Sequence, residues 1–569
     1  MPDHQGLLLF IIMLSPDKQL FQLHLSRGKI VGILLFLMMV GFAMRWYGLP
    51  ERGIIARDEA WHLFSARGLQ SRIEMVSIRG IQQSPINNPL TPDFERISSN
   101  NVSGKPGYVA SLWLIGFLKG SWDYQMLILL SVIAGTICIA GTFWLARRAK
   151  FNQMQSIIAA LFSLTSFTGL YFSRIGYPHI LLILLHIFAI GFYLRSFIIR
   201  PVYPSLLLAG IFWGIGISTH MSLLLALPGV FITECYRYWK NPNNRIVIIL
   251  KHLSVIGIGV LVVLIGWEIL YQVSKGILGS GPGLISLSGS FFGDIILHAK
   301  SGGISFTNGV FEQIFFYPLA LLGMENPVMS LLMLIGIITL WREKGNDDSL
   351  RILSILFLTN LVILILYPAQ FGRQVAPLVA IWPILAVKGL WETIILATNR
   401  VDYNNKITHT FIPTATIGML MFNLYWDWPL LSAGSSGWHQ AAKWVQTNDV
   451  NNRLNIALEI SDMAILDYYL PGRVTNLDRI KSSDAPEDTY WYLKGATDHH
   501  ISSWPKISAA LVDGKDPVMI FYDDWENLRP HRTIGGNWML IPWWRWSERP
   551  SSFQLGLDDA VRIYSVGNR

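Results

Sequence analysis

The stretch IVGILLFLMMVGFAMRW at residues 30–46 decides the class of fold, because it carries no charged side chain before Arg45. A helix needs about 20 predominantly apolar residues to cross the hydrocarbon core of a bilayer, so we predict that this stretch spans a membrane. Comparable segments follow at residues 124–145, 156–173, 177–194, 204–219, 221–236, 252–272, 325–341, 352–368, 374–391 and 409–426. The sequence therefore predicts about eleven transmembrane helices.

The composition agrees with a protein that is mostly surrounded by lipid. Of the 569 residues, 52% are hydrophobic and only 14% are charged, whereas soluble globular proteins contain about 25% charged residues. The net charge of +8 does not indicate a nucleic-acid partner, because most basic residues lie between the apolar segments. The two cysteines, Cys138 and Cys235, both lie in apolar segments and predict no disulfide framework.

The distribution of basic residues predicts the orientation of the chain. Arg27 and Lys29 precede the first predicted span, and further Lys and Arg residues follow the second, fourth, sixth, eighth and tenth spans at 147–150, 195–200, 237–251, 342–351 and 388–406. Because basic connections lie on the cytoplasmic side, we expect a cytoplasmic N-terminus. The regions 47–123, 273–324 and 427–569 are then expected on the opposite side of the membrane.

The last of these regions has the pattern of a small soluble α/β domain. Strand-like runs occur at Leu454–Ile460, Val518–Tyr522, Trp538–Ile541 and Ala560–Val566, and helix-like runs occur at Trp438–Thr447 and Asp462–Tyr469. We therefore predict a transmembrane module at residues 1–426 and an extracytoplasmic domain at residues 427–569. The predicted fold class is a predominantly α-helical integral membrane protein with a C-terminal α/β soluble domain.

Two adjacent carboxylates, Asp58 and Glu59, open the first outer region within the sequence ARDEAWHLF at residues 56–64. One interpretation is structural, with Asp58 as the N-cap of a helix on a solvated surface. The other is functional, with a carboxylate at the membrane interface that deprotonates an acceptor hydroxyl or amine. The residue types alone leave both interpretations open.

Basic and imidazole side chains at comparable depth complete the candidate site. Lys105 precedes an apolar stretch that is too short to span a bilayer, so it either snorkels or lies near a phosphate. Arg174 and Arg373 lie at outer ends of spans, where an arginine is costly unless it is paired, snorkelled or bound to an anion such as phosphate. Further candidates for the same site are His62, His179 and His220.

In their order along the chain, these residues resemble the GT-C superfamily of membrane glycosyltransferases, and within it the protein mannosyltransferase and aminoarabinose (lipid A) transferase group. The residues that carry the resemblance are Asp58-Glu59, Gly104-Lys105-Pro106-Gly107-Tyr108, Ser173-Arg174 and Arg373-Gln374-Val375-Ala376-Pro377-Leu378. The resemblance covers roughly residues 27–395. Departures occur at Gly107, where the aminoarabinose group has a second proline, and at Tyr177-Pro178-His179 and His220. They concern the donor sugar and the acceptor rather than the reaction class.

The resemblance implies a mechanism for the residues that match the family motifs. Asp58 would be the general base that activates the acceptor, and Glu59 would orient the acceptor or the sugar. Lys105, Arg174 and Arg373 would hold the carrier phosphate and stabilise the charge that develops on it. The partners expected are a polyprenyl-phosphate-linked sugar, a protein, lipid or glycan acceptor, and membrane lipids, with no nucleic acid.

Other features limit the alternatives. No Asp-x-Asp pair and no Gly-x-Gly-x-x-Gly loop supports a nucleotide-sugar site, and His499-His500 alone is a poor metal site, so we expect no metal ion and no other cofactor. The alternatives are a transporter or flippase of lipid-linked sugars, which would favour internal repeats and charges at the midplane, and an O-antigen-type polymerase or ligase. We expect location in a bacterial inner membrane, with residues 427–569 on the periplasmic face.

Overall fold

The computed structural model of the chain describes residues 25–55, 57–79, 105–197, 202–239, 245–278, 292–293, 314–315, 317–318, 321–322, 325–342, 348–366, 372–399, 405–449, 455–458, 463–471, 473–476, 490–494, 516–522 and 560–566. Most of the predicted outer region 273–324 and the predicted strand Trp538–Ile541 lie outside these residues. The described residues are mainly helical.

The helices are α1 Arg27–Trp46, α2 Arg57–Arg79, α3 Pro106–Lys119, α4 Tyr124–Arg148, α5 Gln153–Leu164, α6 Phe167–Ser173, α7 His179–Arg195, α8 Val202–Thr219, α9 Leu227–Tyr238, α10 Arg245–Leu278, α11 Pro327–Arg342, α12 Asp348–Leu366, α13 Ala376–Val379, α14 Trp382–Asn399, α15 Asn405–Ser432, α16 Gly437–Asn448 and α17 Met463–Tyr469. Short 3-10 helices occupy Leu49–Glu51, Met221–Ala226 and Gly372–Val375.

Several helices have the length and composition of membrane spans. Among the described residues, 5 helices qualify, namely α1 together with the following turn, α4, α8, α10 and α12. The pair α5 and α6, bent by 53°, adds a sixth if it forms one broken span, and α7 and α11 are shorter apolar helices. Each of the predicted apolar segments coincides with helix in the structure. The total of about eleven spans stays a prediction.

Close packing between helices depends on small residues, as is common in membrane bundles. At the contact between α11 and α14, a Cβ atom added to Gly389 would lie 1.7 Å from the carbonyl oxygen of Leu332. The backbones of the two helices therefore touch where glycine occurs. At the bend between α5 and α6, the Ser166 hydroxyl accepts from the Gly169 N–H at 3.1 Å and so begins α6.

The chain after α15, here called the C-terminal region, contains a mixed sheet. Its strands are β1 Asn455–Leu458, β2 Val474–Asn476, β3 Tyr490–Lys494, β4 Met519–Tyr522 and β5 Ala560–Val566, in the order β2-β1-β3-β5-β4. β1 pairs in parallel with β2 and β3, and β5 pairs antiparallel with β3 and β4. Three of the predicted strands and both predicted helices occur, but the strands are short. A separate α/β domain over residues 427–569 stays a prediction.

Candidate active site

The connection between α1 and α2 is held by a buried ion pair. Arg52 Nη2 lies 2.9 Å from Glu59 Oε1, and both side chains are completely buried. The other carboxylate oxygen of Glu59 accepts from the backbone N–H of Ile55 at 2.9 Å. Glu59 therefore ties the connection to the first turn of α2. Its carboxylate faces protein donors rather than a surface that a substrate could reach.

The same carboxylate also holds the connection between α6 and α7. The Gly176 N–H donates to Glu59 Oε1 at 2.5 Å, and the Gly176 carbonyl lies 3.3 Å from His62 Nδ1. One peptide segment is thus held from both sides by residues one turn apart on α2. A Cβ atom at position 176 would lie 2.9 Å from the Leu127 Cβ and 3.3 Å from the Glu59 Cγ. Close approach of the backbone explains the glycine.

His62 connects this clamp to Lys105. Because a carbonyl oxygen only accepts, His62 Nδ1 carries the hydrogen that is donated to Gly176. Nε2 is then the acceptor nitrogen, and the Lys105 ammonium lies 3.2 Å from it. The tautomer of His62 is therefore set by Gly176, and His62 holds the nitrogen of Lys105 beside α2.

Asp58 lies in the first turn of α2, directly before Glu59, but it is partly exposed where Glu59 is buried. Asp58 and His62 are four residues apart and therefore lie on the same face of the helix, with Cβ atoms about 5–6 Å apart. His62, one helical turn after Asp58, contacts Lys105, and a direct contact between Asp58 and Lys105 stays a prediction. A carboxylate and an ammonium group at one partly exposed location can bind an anion while the carboxylate accepts a proton.

Lys105 itself is placed by the start of α3. Pro106 occupies the first turn of this helix, a position where proline is favoured because its fixed φ suits the helix and the missing N–H is not needed there. At Gly107 a Cβ atom would lie 2.5 Å from Ser218 Oγ. The departure from the family's second proline therefore occurs where the start of α3 meets the end of α8 and leaves no room for a side chain.

Arg174 is buried and holds the end of α1. Its Nη1 donates to the carbonyl oxygens of Met44 at 2.9 Å and Arg45 at 3.4 Å, in the last turn of α1, where a cation is favoured by the helix dipole. Arg45 in turn donates through Nε to Ser173 Oγ at 3.2 Å. These contacts make Arg174 part of the frame around the site, and a contact with carrier phosphate stays a prediction.

His179 and His220 adjoin the site through a series of rings. The His62 ring lies 6.4 Å from Tyr177, Tyr177 lies 5.8 Å from His179, and His179 lies 4.7 Å from His220. His220 Nδ1 also accepts from the Ser222 N–H at 3.2 Å and caps the following 3-10 helix. His179 and His220 are therefore linked to His62 through packed rings, and His220 also caps a helix.

Arg373 lies on the 3-10 helix Gly372–Val375, and its side chain is outside the described part of the structure. Its neighbour Gln374 accepts a hydrogen bond from Tyr317 at 2.5 Å.

Sequence reasoning missed Arg52 and Gly176. A weak signal existed for Arg52, because it is a charged residue in a short connection seven positions before Glu59. Gly176 gave none, since its partner Glu59 is 117 positions away in the sequence. In the described ranges, no group of three or more His, Cys, Asp or Glu residues is arranged to hold a metal ion.

Comparison with known proteins identifies the fold. Residues 106–286 match the family described as dolichyl-phosphate-mannose-protein mannosyltransferase. No curated protein matches the chain in sequence. The structure resembles ArnT from Cupriavidus metallidurans bound to undecaprenyl phosphate, with a TM-score of 0.51, 14% identity, and coverage of 88% of this chain and 97% of that one.

It also resembles the oligosaccharyltransferase of Archaeoglobus fulgidus in the apo form, with a TM-score of 0.50, 13% identity, and coverage of 83% of this chain and 70% of that one. Against that archaeal enzyme, AglB, in complex with an inhibitory peptide and a dolichol-phosphate, the TM-score is 0.49 at 13% identity, and the alignment covers 79% of this chain but only 65% of that one.

The chain therefore has the fold of the GT-C superfamily of membrane glycosyltransferases, as the ordered motifs predicted. Together with the apolar helices, this makes it an integral membrane protein. Within the superfamily, its residues 106–286 are similar to the dolichyl-phosphate-mannose-protein mannosyltransferases, and its overall path is similar to that of ArnT.

Proposed function

We propose that this protein transfers a sugar from a polyprenyl-phosphate carrier to an acceptor on the extracytoplasmic face of a membrane, with Asp58 as the general base. The observation that supports the proposal is the position of Lys105 Nζ, 3.2 Å from His62 Nε2, on a helix whose first turn carries Asp58. The ArnT structure, which contains undecaprenyl phosphate, supports the choice of a lipid-phosphate carrier.

In this mechanism, Asp58 accepts the proton of the acceptor nucleophile as it attacks the anomeric carbon. The bond from that carbon to the carrier phosphate breaks, and the electron pair leaves with the phosphate. Lys105 stabilises the charge on the departing phosphate, because a fixed ammonium outside bulk water interacts strongly with it. Arg373 is proposed as a second cation for the same phosphate. The acceptor is a protein, lipid or glycan.

The buried carboxylate of Glu59 receives a different role from that of Asp58. Since it accepts from Arg52, Ile55 and Gly176, we assign it to positioning α2 rather than to contact with acceptor or sugar. Arg174 is similarly assigned to holding the end of α1, on the basis of its two carbonyl contacts. Both assignments concern the frame that keeps Asp58 and Lys105 in place.

The test is turnover of a polyprenyl-phosphate sugar by the purified full-length protein. Asp58→Asn should lower kcat by a factor of about 10²–10⁴, the usual contribution of a general base, with donor affinity retained. Turnover near the wild-type rate would remove Asp58 as the base. A flippase would release no glycosylated product even as wild type, so product formation separates the two functions.

A second variant tests the phosphate contact. Lys105→Gln should weaken donor binding, whereas Lys119→Gln on the same helix should not, because Lys119 pairs with Asp123 at 2.6 Å at the opposite end of α3. Equal donor affinity in both variants would remove Lys105 from the phosphate site.

A further inference from the structure

The backbone that precedes Asp58 is held from outside by the C-terminal region. The Ile54 N–H donates to the Tyr469 hydroxyl at 2.6 Å, and the Ser436 hydroxyl donates to the Ile54 carbonyl at 2.8 Å. The Ser436 N–H donates to the Arg52 carbonyl at 2.8 Å. The backbone carbonyl and N–H of Ile54 thus both form hydrogen bonds with side chains, which lie 382 and 415 positions away in the sequence.

Gly53, at the centre of this contact, shows how close the approach is. Its φ of +75° is a left-handed backbone conformation that favours glycine. A Cβ atom would lie 2.4 Å from the Tyr469 hydroxyl and 2.6 Å from the His439 Cβ. Residues from α16 and α17 therefore pack directly on the connection between α1 and α2.

The opposite side of the same connection is bound to Glu59. The Arg52 side chain and the Ile55 N–H both reach that carboxylate, so the four residues Arg52–Ile55 lie between the C-terminal region and the first turn of α2. A displacement of the C-terminal contact would therefore be passed to the helix turn that carries Asp58. Misplacement of a catalytic group by about 1 Å can cost on the order of 10²-fold in rate.

A second contact joins the C-terminal region to other helices around the connection. The Tyr124 N–H at the start of α4 lies 3.3 Å from the Tyr468 hydroxyl, and the Arg67 guanidinium lies over the Tyr468 ring at 5.1 Å. Because Arg67 is on α2 and Tyr468 is on α17, the C-terminal region contacts both the connection and the helix that follows it.

We propose that the C-terminal region sets the geometry of the general base. Tyr469 and Ser436 are positioning residues that fix the connection Arg52–Ile55 and, through it, the carboxylate of Asp58. This inference rests on the proposed function, because it assigns the two residues to the geometry of the general base. Neither residue is assigned to contact with donor or acceptor. The C-terminal region would therefore affect the chemical step more than donor binding.

The test uses Tyr469→Phe, which removes the hydroxyl that accepts from Ile54 and keeps the ring. The matched control is Thr447→Ala on α16, whose hydroxyl donates to the carbonyl of Lys443 in its own helix. Turnover, donor affinity and hydrogen exchange of the peptide covering residues 51–60 are measured in the full-length protein, well below the unfolding temperature of each variant.

Tyr469→Phe should lower kcat by about 10- to 100-fold, leave donor affinity unchanged and speed exchange in residues 51–60, while the control resembles wild type. Ser436→Thr, which keeps the hydroxyl, should retain more activity than Ser436→Ala. An unchanged kcat in Tyr469→Phe, or an equal loss in the control, would overturn the inference. A wild-type protein that transfers no sugar would instead overturn the proposed function, so the two failures are distinguishable.

Discussion

The substitution Glu59→Gln tests whether the two members of the acidic pair have different roles, because it should lower the stability of the protein, whereas Asp58→Asn should lower its activity. In the folded protein, Glu59 and Arg52 form an ion pair with both side chains at 0% exposure. Glutamine is nearly the same size, so it leaves packing intact and removes only the charge and one acceptor. Any large effect must therefore come from electrostatics and hydrogen bonding.

The expected magnitude follows from the three donors around the carboxylate. Removing one partner of a buried ion pair costs about 3–5 kcal/mol, because the other charge is left buried without compensation. The glutamine oxygen can replace Oε1, which accepts from Arg52 and Gly176, but its NH2 group then faces the Ile55 N–H, which donated to Oε2. We expect a loss of roughly 4 kcal/mol, a factor of about 1,000 in the ratio of folded to unfolded protein.

The assay uses Cys138, a buried free thiol in α4, as the reporter of unfolding. In a Cys235→Ser background it is the only thiol in the chain, so its reaction with a thiol-specific dye reports opening of the bundle during heating. Glu59→Gln should lower the midpoint strongly. The matched control is Glu392→Gln, which breaks an i,i+4 pair with Lys388 at 2.6 Å whose side chains are 12% and 19% exposed, so we expect a smaller loss than for the fully buried pair of Glu59 and Arg52.

Asp58→Asn in the same background should leave the midpoint close to wild type while lowering kcat by a factor of about 10²–10⁴. A Glu59→Gln protein that unfolds at the wild-type midpoint would show that the buried pair does not hold the connection, and the positioning role of Glu59 would be lost. The same conclusion would follow if the Glu392→Gln control fell by an equal amount.

Three further predictions concern other parts of the chain. Burial lowers the pKa of His439 below its usual value of 6.5, so the folded state favours the neutral ring. The contact of the C-terminal region should therefore be fully stable above pH 6.5 and lose stability as the pH falls below that value. His439→Gln should remove this pH dependence in hydrogen-exchange measurements. Gly389→Ala should lower the free energy of unfolding by about 1–3 kcal/mol through overpacking and so lower the midpoint in the Cys138 assay, whereas Gly266→Ala, where no described neighbour outside its own helix lies within 4 Å of the added carbon, should not. Gly176→Ala should reduce kcat, measured at a temperature where the variant is folded, and retained activity would show that the loop tolerates displacement.

The sequence predicted the apolar helices and the order of the charged motifs because both depend on local patterns. Helix α1 follows from an uninterrupted apolar run, and Asp58 and Lys105 were recognisable because each lies at the start of a helix beside the predicted interface. The structure adds that Lys105 contacts His62, a residue whose role could not be recognised without the distance between two separate parts of the chain.

The contacts that hold the site could not be read from local sequence. The Glu59 carboxylate is bound by Gly176 and the Ile54 backbone by Tyr469, so the partners are separated by 117 and 415 positions. Backbone N–H groups are present at every non-proline residue, and nothing in residue type marks the ones that a distant side chain will use. In the C-terminal region, β2 and β3 were missed for a related reason, since both pair in parallel with β1 and such pairing with a separate part of the chain leaves no mark in local sequence.

The division of labour within the pair Asp58-Glu59 follows from helix geometry. Successive residues on an α-helix point about 100° apart, so the two neighbouring carboxylates at this helix start project in different directions. Glu59 is buried with Arg52, whereas Asp58 is partly exposed. The longer side chain occupies the buried position, where it reaches two connections at once. Glu59 therefore anchors the start of the helix, and Asp58 is the partly exposed carboxylate that we propose as the base.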